Sequence, residues 1–319
     1  MLRVILVGYG ELASSLMLGV LESKHELVGI LRWEKTKSNK LLFFLKNIFW
    51  PDQLSSLIKA NKISEIEAES INSEKFIKKA LKLQPDVIII GSWGEVIKKN
   101  TIILPKIACI NCHPSLLPKH RGSNPYASTI IQGETKSGIT FHLVNEKLDE
   151  GPILLQKEIV ISNDDTGGSL RTKCSYTAKE AIKELLEGLE NARFLPQKQN
   201  EKEASYFPQL TENDAKINWN SSAQSIYNQI RGLNPWMKCY TRYKDQFFMI
   251  NSSKIIDLKK PVHKPGKILV KSSDDLLVST ADPKKAILLK NIEIYGFLGK
   301  LLSRFYIRFF VKTGNFLGK

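Results

Sequence analysis

Short apolar runs alternate with amphipathic stretches through the first half of the chain, and no other sequence feature limits the fold as strongly. The runs are Val4–Val7, Glu26–Leu31, Val87–Ile90 and Ile107–Ile110, and helical patterns at Leu12–Leu21 and Glu74–Leu83 stand between them. Near-continuous apolar strands suit a sheet covered on both faces, so the rhythm predicts an α/β fold with a Rossmann-like parallel sheet. Gly138–Val144 and Ile153–Ile161 read as two further strands, and Ser169–Glu190 as a long helix that closes the domain. One basic, aromatic insertion, Lys35–Asp52, breaks the rhythm with Phe43, Phe44, Phe49 and Trp50.

With 319 residues and 42% hydrophobic content, the chain can build two ordinary cores. The sequence divides into a first domain at 1–191, a polar linker with Pro196 and Pro208 at 192–210, and a second domain at 211–319. In the last part Ala223–Arg231 reads as a helix. From Tyr240 on, short alternating strands separated by Lys-Pro-Gly and Ser-Ser-Asp-Asp predict a small β-barrel.

Met1–Gly8 reads as a first strand rather than a signal peptide, which points to a cytoplasmic protein. No apolar run approaches the roughly 20 residues that span a bilayer, so no membrane partner is expected. Lys300, Arg304 and Arg308 interrupt the nearest candidate, Ile292–Val311, which reads as a helix or strand packed on its own domain ahead of the alternative, a basic amphipathic helix for a membrane surface or RNA. The net charge is +15, and Asn251–Lys319 holds fourteen Lys and Arg against five Asp and Glu. This excess fits either a polyanionic partner or a generally Lys-rich surface. The cysteines, Cys109, Cys112, Cys174 and Cys239, include one C-x-x-C but no second pair at zinc-ligand spacing, so no metal is expected.

The chemistry-bearing segment is Asn111-Cys112-His113-Pro114-Ser115-Leu116-Leu117-Pro118-Lys119-His120-Arg121-Gly122, followed by Asp149 in Leu148-Asp149-Glu150-Gly151. Two residues apart on an extended strand, Asn111 and His113 point the same way. Pro114 ends regular pairing, which places both at a strand's C-terminal end, where open α/β sheets bind ligands.

In this segment, in its spacing to Asp149, and in Ile217-Asn218-Trp219 and Arg231-Gly232-Leu233-Asn234-Pro235-Trp236, the chain resembles the folate-dependent formyltransferases. That family moves a formyl group from 10-formyltetrahydrofolate to an amine, on methionyl-tRNA, glycinamide ribonucleotide or amino sugars. The resemblance implies a formyltransferase fold over about Met1–Leu186 and an OB-like barrel in the C-terminal domain.

It further implies that Asn111 and His113 stabilise the oxyanion, with His113 also assisting proton transfer, while Asp149 holds the imidazole and can accept the amine's proton through water. Gly91, Ser92, Trp93, Gly94, Val144 and Leu148 would line the pterin. Ser115, Leu116, Leu117, Pro118, Arg121 and Gly122 would wrap the acceptor side, Arg121 anchoring a phosphate or positioning the loop, with His120 exposed beside it.

The acceptor implied first is initiator methionyl-tRNA, given the basic C-terminal region and an insertion where the tRNA enzymes carry their acceptor-stem loop. A nucleotide-linked amino sugar is the alternative, because Lys35–Asp52 lacks the tRNA enzymes' Pro-x-Gly-Arg-Gly-like motif and Pro114 stands where they carry Gly. A non-catalytic RNA-binding protein on the same scaffold is a reading of another class.

Overall fold

The computed structural model describes residues 1–33, 52–272, 274–296 and 299–318, and divides into two compact units. Nearly all of the Lys35–Asp52 insertion lies outside the described residues. Asp52 is described, and its side chain accepts from the Ser55 amide to cap a helix, Gln53–Ala60.

The first unit comprises Met1–Pro125, Lys136–Ile161 and Leu170–Pro208. Its sheet begins in the middle: β1 (Arg3–Gly8) pairs in parallel with both β2 (Glu26–Arg32) and β3 (Val87–Gly91). β4 (Ala108–His113) extends the parallel half beyond β3. Both neighbours of β1 are buried, and the apolar cluster on one face joins Ile5, Val7, Leu31, Phe76, Ile88, Ile90 and Cys109. Helix α1 (Gly10–Leu21) buries Leu12, Leu16 and Met17. The helix at Glu74–Leu83 starts on Ser73, whose side chain accepts from the Phe76 amide, and stops at Gln84 in a left-handed conformation.

Beyond β4 the expected parallel rhythm ends. β6 (Lys136–Leu143) runs antiparallel to β4, and β7 (Ile153–Val160) antiparallel to β6, in a mixed six-stranded sheet of order β2-β1-β3-β4-β6-β7. For β7 the reason is covalent: β6 returns to it through residues 144–152, which is too short for a helical crossover. Strand β7 buries only Ile159 fully, as an edge strand can.

Residues 192–208, expected as part of a linker, are instead built into this unit. Gln197 and Ile153 exchange backbone hydrogen bonds at 2.8 Å. β8 (Tyr206–Phe207) pairs in parallel with β5 (Arg121–Gly122). Polar composition suggested a free segment, and most of its side chains are exposed, but its backbone is paired and Gln199 is buried.

The second unit comprises Tyr126–Thr135, Ser162–Ser169 and Gln209–Lys319. It is a smaller antiparallel β domain with two ladders: Cys239–Tyr243 pairs with Gln246–Ile250, which pairs with Glu293–Ile294, and Ser252–Asp257, Lys285–Lys290, Leu276–Ser279 and Ile268–Lys271 pair in that order. Its core gathers Trp219, Ile226, Ile230, Tyr243, Phe248, Leu276 and Ile287. The motif residue Arg231 is buried here, donating to Asp165 O at 2.6 Å and Asn228 Oδ1 at 3.0 Å. The C-terminal helix, Gly299–Phe310, docks on its own domain through Ile307, Tyr306 and the following Val311, while Leu302, Phe305, Phe309 and Phe310 stay exposed. Among the described residues no helix is long and apolar enough to cross a membrane.

Phe141 of β6 is completely buried in the first unit. Phe141→Ala is expected to destabilise that unit by roughly 3–5 kcal/mol, the usual cost of a buried phenyl group, read as a lowered urea midpoint. An unchanged midpoint would contradict the packing described.

Candidate active site

Asn111 and His113 sit at the C-terminal end of β4, as the strand-end reading expects. The pairing of β3 with β4 sets Ile90 beside Asn111, which brings the Gly91–Gly94 turn to the same edge of the sheet. On the other side Asn111 pairs with His142 of β6, and His113 with Thr140. Residues directly opposite on an antiparallel pair share a face, so His142 joins the constellation. Asp149 arrives from the β6–β7 return, in a left-handed conformation with φ of 55° that Asp tolerates better than most residues.

The carboxylate of Asp149 is the meeting point. Its Oδ1 accepts from Asn111 Nδ2 at 3.3 Å and lies 3.6 Å from His142 Nε2. Its Oδ2 accepts from the Gly122 amide at 2.9 Å and lies 3.5 Å from His113 Nδ1. His113 and Asp149 are both buried, whereas Asn111 is partly open. Burial by itself would raise the Asp149 carboxyl, but the charge of His113, hydrogen bonding from His142 and the Gly122 amide outweigh it and hold the group well below the usual carboxylate range.

Carbonyl acceptors fix the protons on both imidazoles. His113 Nε2 donates to the carbonyl of His120 at 2.8 Å, which leaves Nδ1 toward the carboxylate. His142 Nδ1 donates to the carbonyl of Leu143 at 2.9 Å, so Nε2, 3.1 Å from Asn111 Nδ2 and 3.6 Å from Asp149 Oδ1, is the ring nitrogen that faces the carboxylate. The Asn111 amide nitrogen thereby lies between His142 and Asp149.

Several residues expected to wrap an acceptor hold the loop to the sheet instead. Thr140 Oγ1 donates to Ser115 O at 2.6 Å and accepts from the Leu117 amide and Gln156 Nε2, and Ser115 Oγ donates to Lys119 O. Ser115 and Leu117 are buried, Leu116 lies against Gly138, and Pro118 is partly exposed. His120, expected to be exposed, is buried and stacks on Phe207 at 5.0 Å; the β5–β8 pairing covers it. Arg121 is buried too, with Nη1 and Nη2 on the two oxygens of Glu201 at 3.0 and 2.9 Å. With that carboxylate already bound, it positions the loop rather than offering a free anion site.

Of the residues expected at the pterin, Gly91 packs over Leu16 and Ser92 is left-handed. Trp93 meets Trp33 edge-on at 5.0 Å and donates from its indole to Glu95 at 3.3 Å. Gly94 also lies against Trp33. The Val144 amide donates to Cys109 O, which ties the β6–β7 return to the end of β4, while Leu148 is exposed. Cys109 and Cys112, three apart on β4, face opposite sides of the sheet, and burial pushes the Cys109 thiol up to about 12.

Two residues of the site escaped sequence reading. His142 sits inside an apolar strand, and only the β4–β6 register reveals it. Gln199 lies in the segment taken for a linker, yet is buried and donates to the carbonyls of Asp149 and Gly151.

Gly122 has φ of 108°, and a Cβ added there would lie 2.2 Å from the Phe207 carbonyl oxygen. Gly122→Ala is expected to cost about 1–3 kcal/mol through backbone strain alone and to part β5 from β8, seen as a lower melting temperature. An unchanged melting temperature would contradict this role.

Comparison with known proteins places the chain in a family. The formyl transferase family model matches residues 12–186, and the model of the formyl transferase C-terminal domain matches residues 209–296. The chain is 32% identical over 290 residues to the methionyl-tRNA formyltransferase of Caldanaerobacter subterraneus subsp. tengcongensis, covering 90% of this chain and 91% of that one. It is 37% identical over 223 residues to the protein of the same name from Thermodesulfovibrio yellowstonii, covering 70% and 71%. Among solved structures, the fold resembles an N-formyltransferase from Helicobacter canadensis in complex with folinic acid and dTDP-3-aminofucose, with a TM-score of 0.70 at 18% identity over 92% of this chain and all of that one. By the extent of these matches, the chain belongs to the formyl transferase family.

Proposed function

We propose that this protein transfers the formyl group of 10-formyltetrahydrofolate to the α-amino group of initiator methionyl-tRNA. One observation carries the reading: the Asp149 carboxylate is held between the Asn111 amide and the His113 imidazole at the end of β4, beside the turn that follows β3.

The chemistry follows from these groups. The neutral amine attacks the formyl carbon, forming a C–N bond and placing negative charge on the formyl oxygen. Asn111 Nδ2 swings from His142 to donate to that oxygen, and the positive edge of His113 lies beside it. Asp149, held as a carboxylate, accepts the proton of the attacking nitrogen through water. As the bond to N10 of the folate breaks, the proton passes to N10, and tetrahydrofolate leaves with hydrogen where the formyl group was. His113 contributes charge and alignment, because its Nε2 proton is already engaged by His120 O.

The turn Gly91–Gly94, with Val144 and Leu148, is assigned to the pterin, and Asn111, His113 and Asp149 to catalysis. In domain terms, 1–191 together with the following strap performs the reaction and 211–319 engages the acceptor.

The acceptor rests on three supports: relatives named methionyl-tRNA formyltransferase match most of the chain, the C-terminal family domain is present, and the net charge is +15. A cytoplasmic location accords with such a substrate. The second reading, an amino-sugar acceptor, is favoured by structural relatives such as a sugar 3N-formyltransferase with a TM-score of 0.68, but at 20% identity that likeness speaks for the fold.

The experiment offers 10-formyltetrahydrofolate with methionyl-tRNA and, separately, nucleotide-linked amino sugars. Transfer to the tRNA is expected, and turnover confined to a sugar would overturn the acceptor. Asn111→Ala, His113→Ala and Asp149→Ala are each expected to lower kcat by about 10²–10⁴-fold, and an unchanged kcat in any of them would remove that residue from the machinery.

A further inference from the structure

We propose that Gln199 is a positioning residue for formyl transfer: it braces the left-handed turn that carries Asp149 and makes the 197–207 strap part of the active site. The proposal rests on the catalytic reading of Asp149 given above.

The side-chain amide of Gln199 spans the turn. Its Nε2 donates one hydrogen to the carbonyl of Asp149 at 2.7 Å and the other to the carbonyl of Gly151 at 2.8 Å. Both donors are thus used on the backbone that sets the direction of the Asp149 side chain. The turn needs such support because Asp149 has φ of 55°, a left-handed conformation that is costly for a residue with a side chain. A strained turn of this kind persists only where its surroundings over-determine it.

The amide's other end is fixed as firmly. Gln199 Oε1 accepts from Arg121 Nη2 at 2.8 Å and Nε at 3.2 Å, which excludes the flipped amide, since a flip would set NH₂ against a guanidinium. Arg121 is itself held by Glu201 on the same strap, and its neighbour Gly122 supplies the amide that binds Asp149 Oδ2. The strap therefore grips Asp149 from two sides, through its own carbonyl by way of Gln199 and through its carboxylate by way of Arg121–Gly122. Ser205 completes the hold, accepting from the Arg121 amide at its carbonyl and from the His120 amide at its hydroxyl, both at 2.9 Å. That second bond fixes the residue whose carbonyl receives His113 Nε2.

Losing the amide donors should let the carboxylate drift by about 1 Å, while the Gly91–Gly94 turn assigned to the pterin stays in place. In Gln199→Ala, kcat is expected to fall on the order of 10²-fold, as a misplacement near 1 Å can cause, with both KM values within a few-fold of the parent. Gln199→Glu keeps the side-chain volume and the acceptor for Arg121 but sets an oxygen against two carbonyls. It should lose kcat to a similar degree, and it covers the case in which the alanine variant folds poorly.

Amide hydrogen exchange supplies a readout independent of turnover: exchange at Gly122 should quicken in both variants, while Arg121, bonded to Ser205, keeps its parental rate. Parental kcat and parental Gly122 exchange in the folded variants would overturn the brace, as would a rise in KM without loss of kcat. If the parent moved no formyl group at all, quickened Gly122 exchange would still support the brace while the formyl-transfer reading failed.

Discussion

A buried carboxylate is expensive unless polar groups surround it, and Asp149 meets that condition with groups from three separate stretches of chain. Removing an ion from water costs several kcal/mol even in a relaxed protein interior. The Gly122 amide, the Asn111 amide and two imidazoles offset that cost, and they are delivered by three elements, β5, β4 and β6. The β4–β6 pairing, the β6–β7 return, the loop after Pro114 and the strap all converge there. Moving any of them would leave a charge without its partners.

The sheet explains how delivery is achieved with few residues. Its parallel half ends all four strands at one edge, so the turn after β3 and the end of β4 lie side by side. Its antiparallel half brings β6 back against β4, which sets His142 opposite Asn111, and the tight return then presents Asp149 within reach of both. A purely parallel sheet would have placed a helix where that return runs.

Local pattern made much of this legible. Strands of four to eight apolar residues declare themselves, and Asn111, His113 and Asp149 stand in a spacing specific enough to point to one chemistry. What stayed hidden depended on pairing partners distant in sequence. His142 looks like one more residue of a buried strand until the register with β4 is known. The strap read as a linker because polarity signals solvent exposure, whereas Gln199 and Arg121 spend their polar groups on one another and on the backbone. His120 misled for the same reason: its cover, Phe207, lies far along the chain. The two antiparallel ladders of the C-terminal unit followed from turn signals, but their division into separate sheets is a matter of long-range pairing.

The most direct test of this account is the titration of the Asp149 carboxyl carbon by ¹³C NMR in the folded protein. The surrounding donors lower its folded-state value, so as pH falls the unfolded chain takes up the proton first. The stability due to this group is present above about pH 4 and is lost as the solution is acidified further. The account predicts that Asp149 remains ionised below about 3.9, where an ordinary aspartate is half protonated. A midpoint at or above that value would mean that burial, not the converging donors, governs the group, and the arrangement described around it would not stand.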